Sequence, residues 1–120
     1  MNIEEIRAYC IGKKQVTEDM PFGDDTLVFK VKGKMFALMN LEGDLRLNLK
    51  CDPEEAIRLR EEFDAVIPGY HMNKKLWNTI IVDDRITERQ LKKWIDGSYM
   101  LVVQKLPKKD QAEWHNEDQL

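Results

Sequence analysis

The densest collection of chemistry-bearing side chains lies in PGYHMNKKLWNTIIV, residues 68–82, between a Pro-Gly turn and a run rich in β-branched residues. Lys74 and Lys75 can neutralise phosphates. Asn73 and Asn78 can donate and accept at base edges or backbone, and Trp77 or Tyr70 can stack on an exposed base. His71, Asn73, Trp77 and Asn78 can equally line a pocket for a small molecule. A structural role suits the same residue types: His71 and Asn73 bonding the connection's own backbone, Trp77 in the core, the lysines in water.

A second basic stretch is FKVKGKMF, residues 29–36. Alternation puts Lys30 and Lys32 on one face, with Lys34 just beyond the turn. Three cations on one hairpin suit a DNA backbone or groove, and lysines on an edge strand also guard against aggregation. Arg85, Arg89, Lys92 and Lys93 form a third basic group. Asp83, Asp84 and Glu88 interleave it, which marks a solvated face.

Catalytic signatures are absent: no nucleophile elbow, no HExxH, no phosphate-cradling loop and no GxGxxG. The expected activity is therefore binding, with no catalytic residue, metal or cofactor. Cys10 and Cys51 are far apart and form no CxxC pair, so both read as small reduced thiols. Cys51 precedes DPEE, where a helix N-terminus would lower its pKa and make it reactive; that is the functional alternative. The acids of FGDD and IVDD lie in turns and read as solvated.

The chain of 120 residues suffices for one domain with a core. Its formal charge of −3 argues against a polyanionic partner at first sight, but the charge is uneven. The segment 110–120 carries four acids and no Lys or Arg, and without it 19 basic residues face 18 acidic ones. Nucleic-acid binding must then come from a local patch, with this acidic tail as an internal competitor for it. No apolar run approaches a membrane span and Met1 precedes NIEEIR rather than a leader, so the expected location is the cytoplasm, with no membrane partner.

The elements that must hold these residues follow from periodicity. Asn2 and Glu5 form a capping box for a helix ending near Gly12, and residues 13–25 read as a loop. From Thr26 the period is two, with turns at Gly33 and at 42–44, which predicts a three-stranded antiparallel meander. Asp52 caps a helix with Pro53 at its first position; Ala56, Leu59 and Phe63 form its buried side, widened by Ile57. Trp77 to Val82 is a fourth strand. Thr87 caps a third helical region that Gly97 and Ser98 interrupt, and from Pro107 the chain is polar and frays. The expectation is a compact single α+β domain over 1–109, an antiparallel sheet of a meander plus a fourth strand with helices on one face, followed by a tail over 110–120.

Four stretches then resemble the MmcQ/YjbR family of small bacterial proteins, in order and spacing: MPFGDDTLVFKVKGKMFAL (Met20 to Leu38), LKCDPEEAIRLRE (Leu49 to Glu61), PGYHMNKKLWNTI (Pro68 to Ile80) and SYMLVVQKLPKK (Ser98 to Lys109). The resemblance implies a CyaY-like fold, similar to frataxin, and a DNA-binding role ascribed to the family from its sheet and wing-like hairpins. Many relatives carry His where this chain has Leu76, so a role needing two adjacent imidazoles does not carry over. Frataxin-type iron sites use an acidic ridge, of which the first helix here offers only Glu4 and Glu5. Double-stranded DNA, contacted by Lys30, Lys32, Lys34, Lys74 and Lys75, is therefore the leading expected partner. A small-molecule or protein ligand beside His71, Asn73 and Trp77 is the alternative.

Overall fold

The computed structural model describes residues 1–70 and 72–118, with side chains up to Trp114. Helix α1 (Ile3–Ile11) begins at the expected capping box: Glu5 N donates to Asn2 Oδ1 at 2.8 Å, and Asn2 N donates back to Glu5 at 3.1 Å. It ends at Gly12. The segment expected to be a loop contains strand β1 (Val16–Asp19), paired antiparallel with β2 (Thr26–Val31). Four residues beside Pro21 and Gly23 are too few to display a period, so only the pairing to β2 reveals this strand.

Strands β2, β3 (Lys34–Asn40) and β4 (Arg46–Lys50) form the predicted meander. Lys32 and Gly33 both have positive φ, 51° and 80°, as a two-residue type I′ hairpin requires. The β2–β3 register shifts at Phe36, which has no partner on β2. Its carbonyl oxygen is instead taken by Ser98 Oγ at 2.5 Å, and the same hydroxyl accepts the amide of Lys50 at 2.8 Å. This explains a polar residue that is 1% exposed inside helix α3 (Glu88–Gln104), which runs unbroken through Gly97 and Ser98 rather than being interrupted there. Thr87 caps α3 as predicted, accepting Gln90 N at 3.1 Å.

Helix α2 (Pro53–Glu62) starts at Asp52, whose side chain makes no capping bond; the backbone bond from Ala56 N to Asp52 O and Pro53 set the start. Ile57 does not widen the buried side, because it is 54% exposed. Phe63 lies just past the helix and packs edge-on against Trp94, ring centroids 5.0 Å apart. Strand β5 (Val66–Pro68) was not legible, being three residues long and ending in proline, which a sheet tolerates only at an edge. Strand β6 (Trp77–Ile81) is the predicted fourth strand.

The result is an α+β domain whose antiparallel sheet has six strands, not four, in the order β1-β2-β3-β4-β6-β5. The helices cover one face, where Phe29, Phe36, Leu47 and Ile80 meet Ile6, Leu59, Leu91 and Ile95. Each such fully buried side chain contributes about 1.5–3 kcal/mol. The described part of the polar tail is helical rather than frayed as expected: Lys108–Asp118 forms helix α4. Trp114 Nε1 donates to Tyr99 Oη at 3.1 Å, and Gln111 Nε2 to Leu106 O at 2.6 Å. A single half-buried aromatic, Trp114, supplies the anchor that the polar pattern lacks. Among the described residues, no helix is long and apolar enough to cross a membrane.

Candidate functional site

The opposite face of the sheet is partly covered by Met72 and Leu76 from the connection between β5 and β6. Val28 and Leu38, cross-strand partners, form a second buried cluster with Trp77, joined by Met35, Met72 and Leu76. Trp77 is 7% exposed there. Gly69 permits this closeness, since a Cβ at that position would lie 2.8 Å from the Cβ and carbonyl oxygen of Trp77.

Within the connection, Asn73 Oδ1 accepts the Lys75 amide at 3.0 Å, and its carbonyl accepts Leu76 N and Trp77 N at 3.1 and 2.9 Å. Asn73 thus shapes a turn whose crest is Lys74 and Lys75, both exposed. Arg60 donates to the Lys74 carbonyl, and its Nε donates to Asn78 Oδ1 at 2.6 Å. Asn78 is 2% exposed and reaches Ala56 O at 3.3 Å, so it fastens β6 to α2. Of the nine residues singled out in the sequence, Asn73, Trp77 and Asn78 hold the scaffold, and His71 lies outside the described residues.

The hairpin lysines divide similarly. Lys30 Nζ pairs with Asp19 at 3.2 Å and Lys32 Nζ with Glu113 at 3.1 Å, whereas Lys34 is exposed and has no ion pair among the described residues. Register places the hairpin beside the connection: β3 begins where β4 ends, Lys50 stands opposite Trp77, and Met35 packs in the cluster of Met72 and Leu76. Lys34, Lys50, Lys74 and Lys75 therefore collect at one end of the sheet. Lys105 joins them, because burial and then the charge of Lys105 hold the Lys50 ammonium below its ordinary pKa. Asp52, Glu54 and Glu55 open α2 at the same end and temper it, although Arg58 engages Glu55.

At the other end lie Asp25, the 42–44 turn with Glu42 and Asp44, and Asp83 and Asp84 after β6. Charge is thus separated along the strands, a polarity that the overall value of −3 conceals. The third basic group is a solvated face as expected: Arg85 bonds Asp83 at 2.7 Å, holding that carboxylate below its usual pKa, and Lys92 sits 3.7 Å from Glu88.

Two concavities accompany this polarity. A groove of about 430 Å³ between α2 and α3 is floored by Leu59, Phe63, Ile80 and Trp94 and includes Cys51. Burial, followed by the charges of Glu55 and Asp52, pushes the Cys51 thiol up to about 11, opposite in sign to activation by a helix N-terminus. Cys10 is buried and rises to about 12. A larger cavity of about 670 Å³ opens on the outer sheet face, bordered by Tyr70 and Met72, the neighbours of His71. Neither concavity is lined by Asn73 or Trp77. Sequence reasoning missed Lys50 and Lys105 at the basic end and Phe22 on this cavity's rim, because no local pattern joins them to the residues they lie beside.

The chain's similarities to other proteins agree with this architecture. The YjbR family model matches residues 11–101. The Escherichia coli O157:H7 protein YbdF is 41% identical over 92 residues, 76% of this chain and 75% of the relative. YjbR of Escherichia coli K12 is 31% identical over 108 residues, 89% and 92% of the two chains. The crystal structure of the Deinococcus radiodurans protein DR2400 superposes with a TM-score of 0.88 at 39% identity, covering 93% of this chain and 86% of that one. A Pseudomonas syringae protein gives a TM-score of 0.74 at 26% identity over 84% and 98%. With the family model spanning the sheet, the connection and most of α3, the chain belongs to the MmcQ/YjbR family.

Proposed function

We propose that this protein binds double-stranded DNA through phosphate contacts at the basic end of its sheet, without reading base sequence. The separation of charge along the strands carries the proposal: Lys34, Lys50, Lys74, Lys75 and Lys105 gather at one end while the turn acids lie at the other. The buried Trp77 and Asn78 favour backbone contact over base readout, since neither side chain reaches the surface. Lys30 and Lys32 contribute less than their neighbours because each already faces a carboxylate.

The salt dependence tests this reading. Five phosphate contacts would give a slope of log affinity against log salt of about −4.5, or roughly a 500-fold loss between 50 and 200 mM. The assay is binding to labelled random-sequence duplex across salt concentrations. The triple variant Lys34→Glu, Lys74→Glu, Lys75→Glu should remain folded, bind far more weakly and lose about 2.7 from the slope. Equal binding by the folded triple variant, or no binding by the parent chain at low salt, would sink the proposal.

A further inference from the structure

We infer that the cavity on the outer face of the sheet is a binding site for a small organic ammonium ion carrying an aromatic body. Its volume, about 670 Å³, lies within the range of ligand pockets, roughly 300–1,000 Å³. Its floor is polar and ordered. Thr79 is 1% exposed, accepts the Tyr70 amide at 3.0 Å and donates its hydroxyl to Asn48 Oδ1. That arrangement leaves Asn48 Nδ2 with donors and no partner among the described residues, available to an acceptor on the ligand.

Two aromatic side chains from separate segments border the cavity: Phe22, from the β1–β2 connection, is 62% exposed, and Tyr70 is 63% exposed. Isolated exposed aromatics are ordinary, but two on the rim of one cavity with a polar floor offer flat surfaces to a ring or a cation. Charge selects between those ligands. Among the described lining residues the carboxylates of Asp25, Glu42 and Asp44 outnumber the single guanidinium of Arg46. A phosphate or carboxylate ligand is therefore repelled, and an ammonium ion is attracted by both the acids and the aromatic faces. Asp25, Glu42, Asp44 and Arg46 set the cavity toward the acidic end of the sheet, and none of Lys34, Lys74 and Lys75 lines it, so the two proposals rest on different side chains.

The test compares phenethylammonium with 3-phenylpropionate, probes of similar size and opposite charge, by amide chemical-shift titration of the full chain at low ionic strength. The ammonium probe should shift the Asn48, Tyr70 and Thr79 signals and bind at least about tenfold more tightly than the acid. Phe22→Ala and Tyr70→Ala should each weaken it about two- to fivefold, and Asp44→Asn should narrow the preference. All three residues are exposed at the rim, so the variants retain the fold. Equal or tighter binding of the acid, shifts elsewhere, no shifts at millimolar probe, or indifference to these variants would overturn the inference. The Lys34, Lys74, Lys75 triple variant should bind the ammonium probe like the parent, which separates this outcome from the fate of the DNA proposal.

Discussion

Asn78→Ala should destabilise the protein while leaving DNA affinity intact, in contrast to what its place in the basic stretch would suggest. Asn78 is 2% exposed and its Oδ1 accepts the Arg60 guanidinium at 2.6 Å. A hydrogen bond to a charged group contributes about 1.5–3 kcal/mol, and partial exposure of Arg60 argues for the lower half of that range. The 3.3 Å bond to Ala56 O adds about 0.5 kcal/mol, being long. The expected loss is about 2–3 kcal/mol, or roughly 8–12 °C in melting temperature for a domain of this size. Lys74→Ala is the matching control: Arg60 uses its backbone carbonyl, which the substitution keeps. That variant should lower DNA affinity and leave the unfolding midpoint where it was. Urea unfolding and duplex titration of both variants decide the matter. Unchanged stability together with lost affinity in Asn78→Ala would refute the reasoning and make Asn78 a ligand contact.

Three further outcomes follow from particular bonds. Ser98→Ala orphans the Phe36 carbonyl and the Lys50 amide, and should lower stability by about 2–4 kcal/mol in thermal or urea unfolding; an unchanged midpoint would show that neither bond matters. At pH 8 Cys51, with its pKa near 11 against an ordinary 9.0, should react with iodoacetamide about 100-fold more slowly than an unperturbed cysteine, and Cys10 more slowly still. Both folded pKa values are raised, so their stabilising contribution is fully present below pH 9 and lost as pH rises toward 11 and 12; urea midpoints measured from pH 8 upward should fall, and a flat profile would contradict the burial argument. Glu113→Gln releases Lys32 from its 3.1 Å ion pair and should steepen the DNA salt slope by about 0.9, whereas a shallower slope would mean that α4 assists binding.

Local chemistry determined a large part of this molecule. Asn2 with Glu5, Pro53, and Thr87 with Gln90 mark helix starts because they answer the unsatisfied amides of a first turn, and the two-residue period from Thr26 to Lys50 specifies the meander. The lysines at 34, 74 and 75 were visible as residue types. Strands β1 and β5, the unbroken α3 and helix α4 were not, because each depends on partners distant in sequence: β2 and β6 for the edge strands, the bulged Phe36 carbonyl for Ser98, and Tyr99 for Trp114. Tertiary structure alone separated scaffold from surface in the 68–82 stretch, burying Trp77 and Asn78 while raising Lys74 and Lys75. It also brought Lys50 and Lys105 to the same end as Lys34, since antiparallel pairing fixes which strand ends meet and no local pattern encodes that geometry.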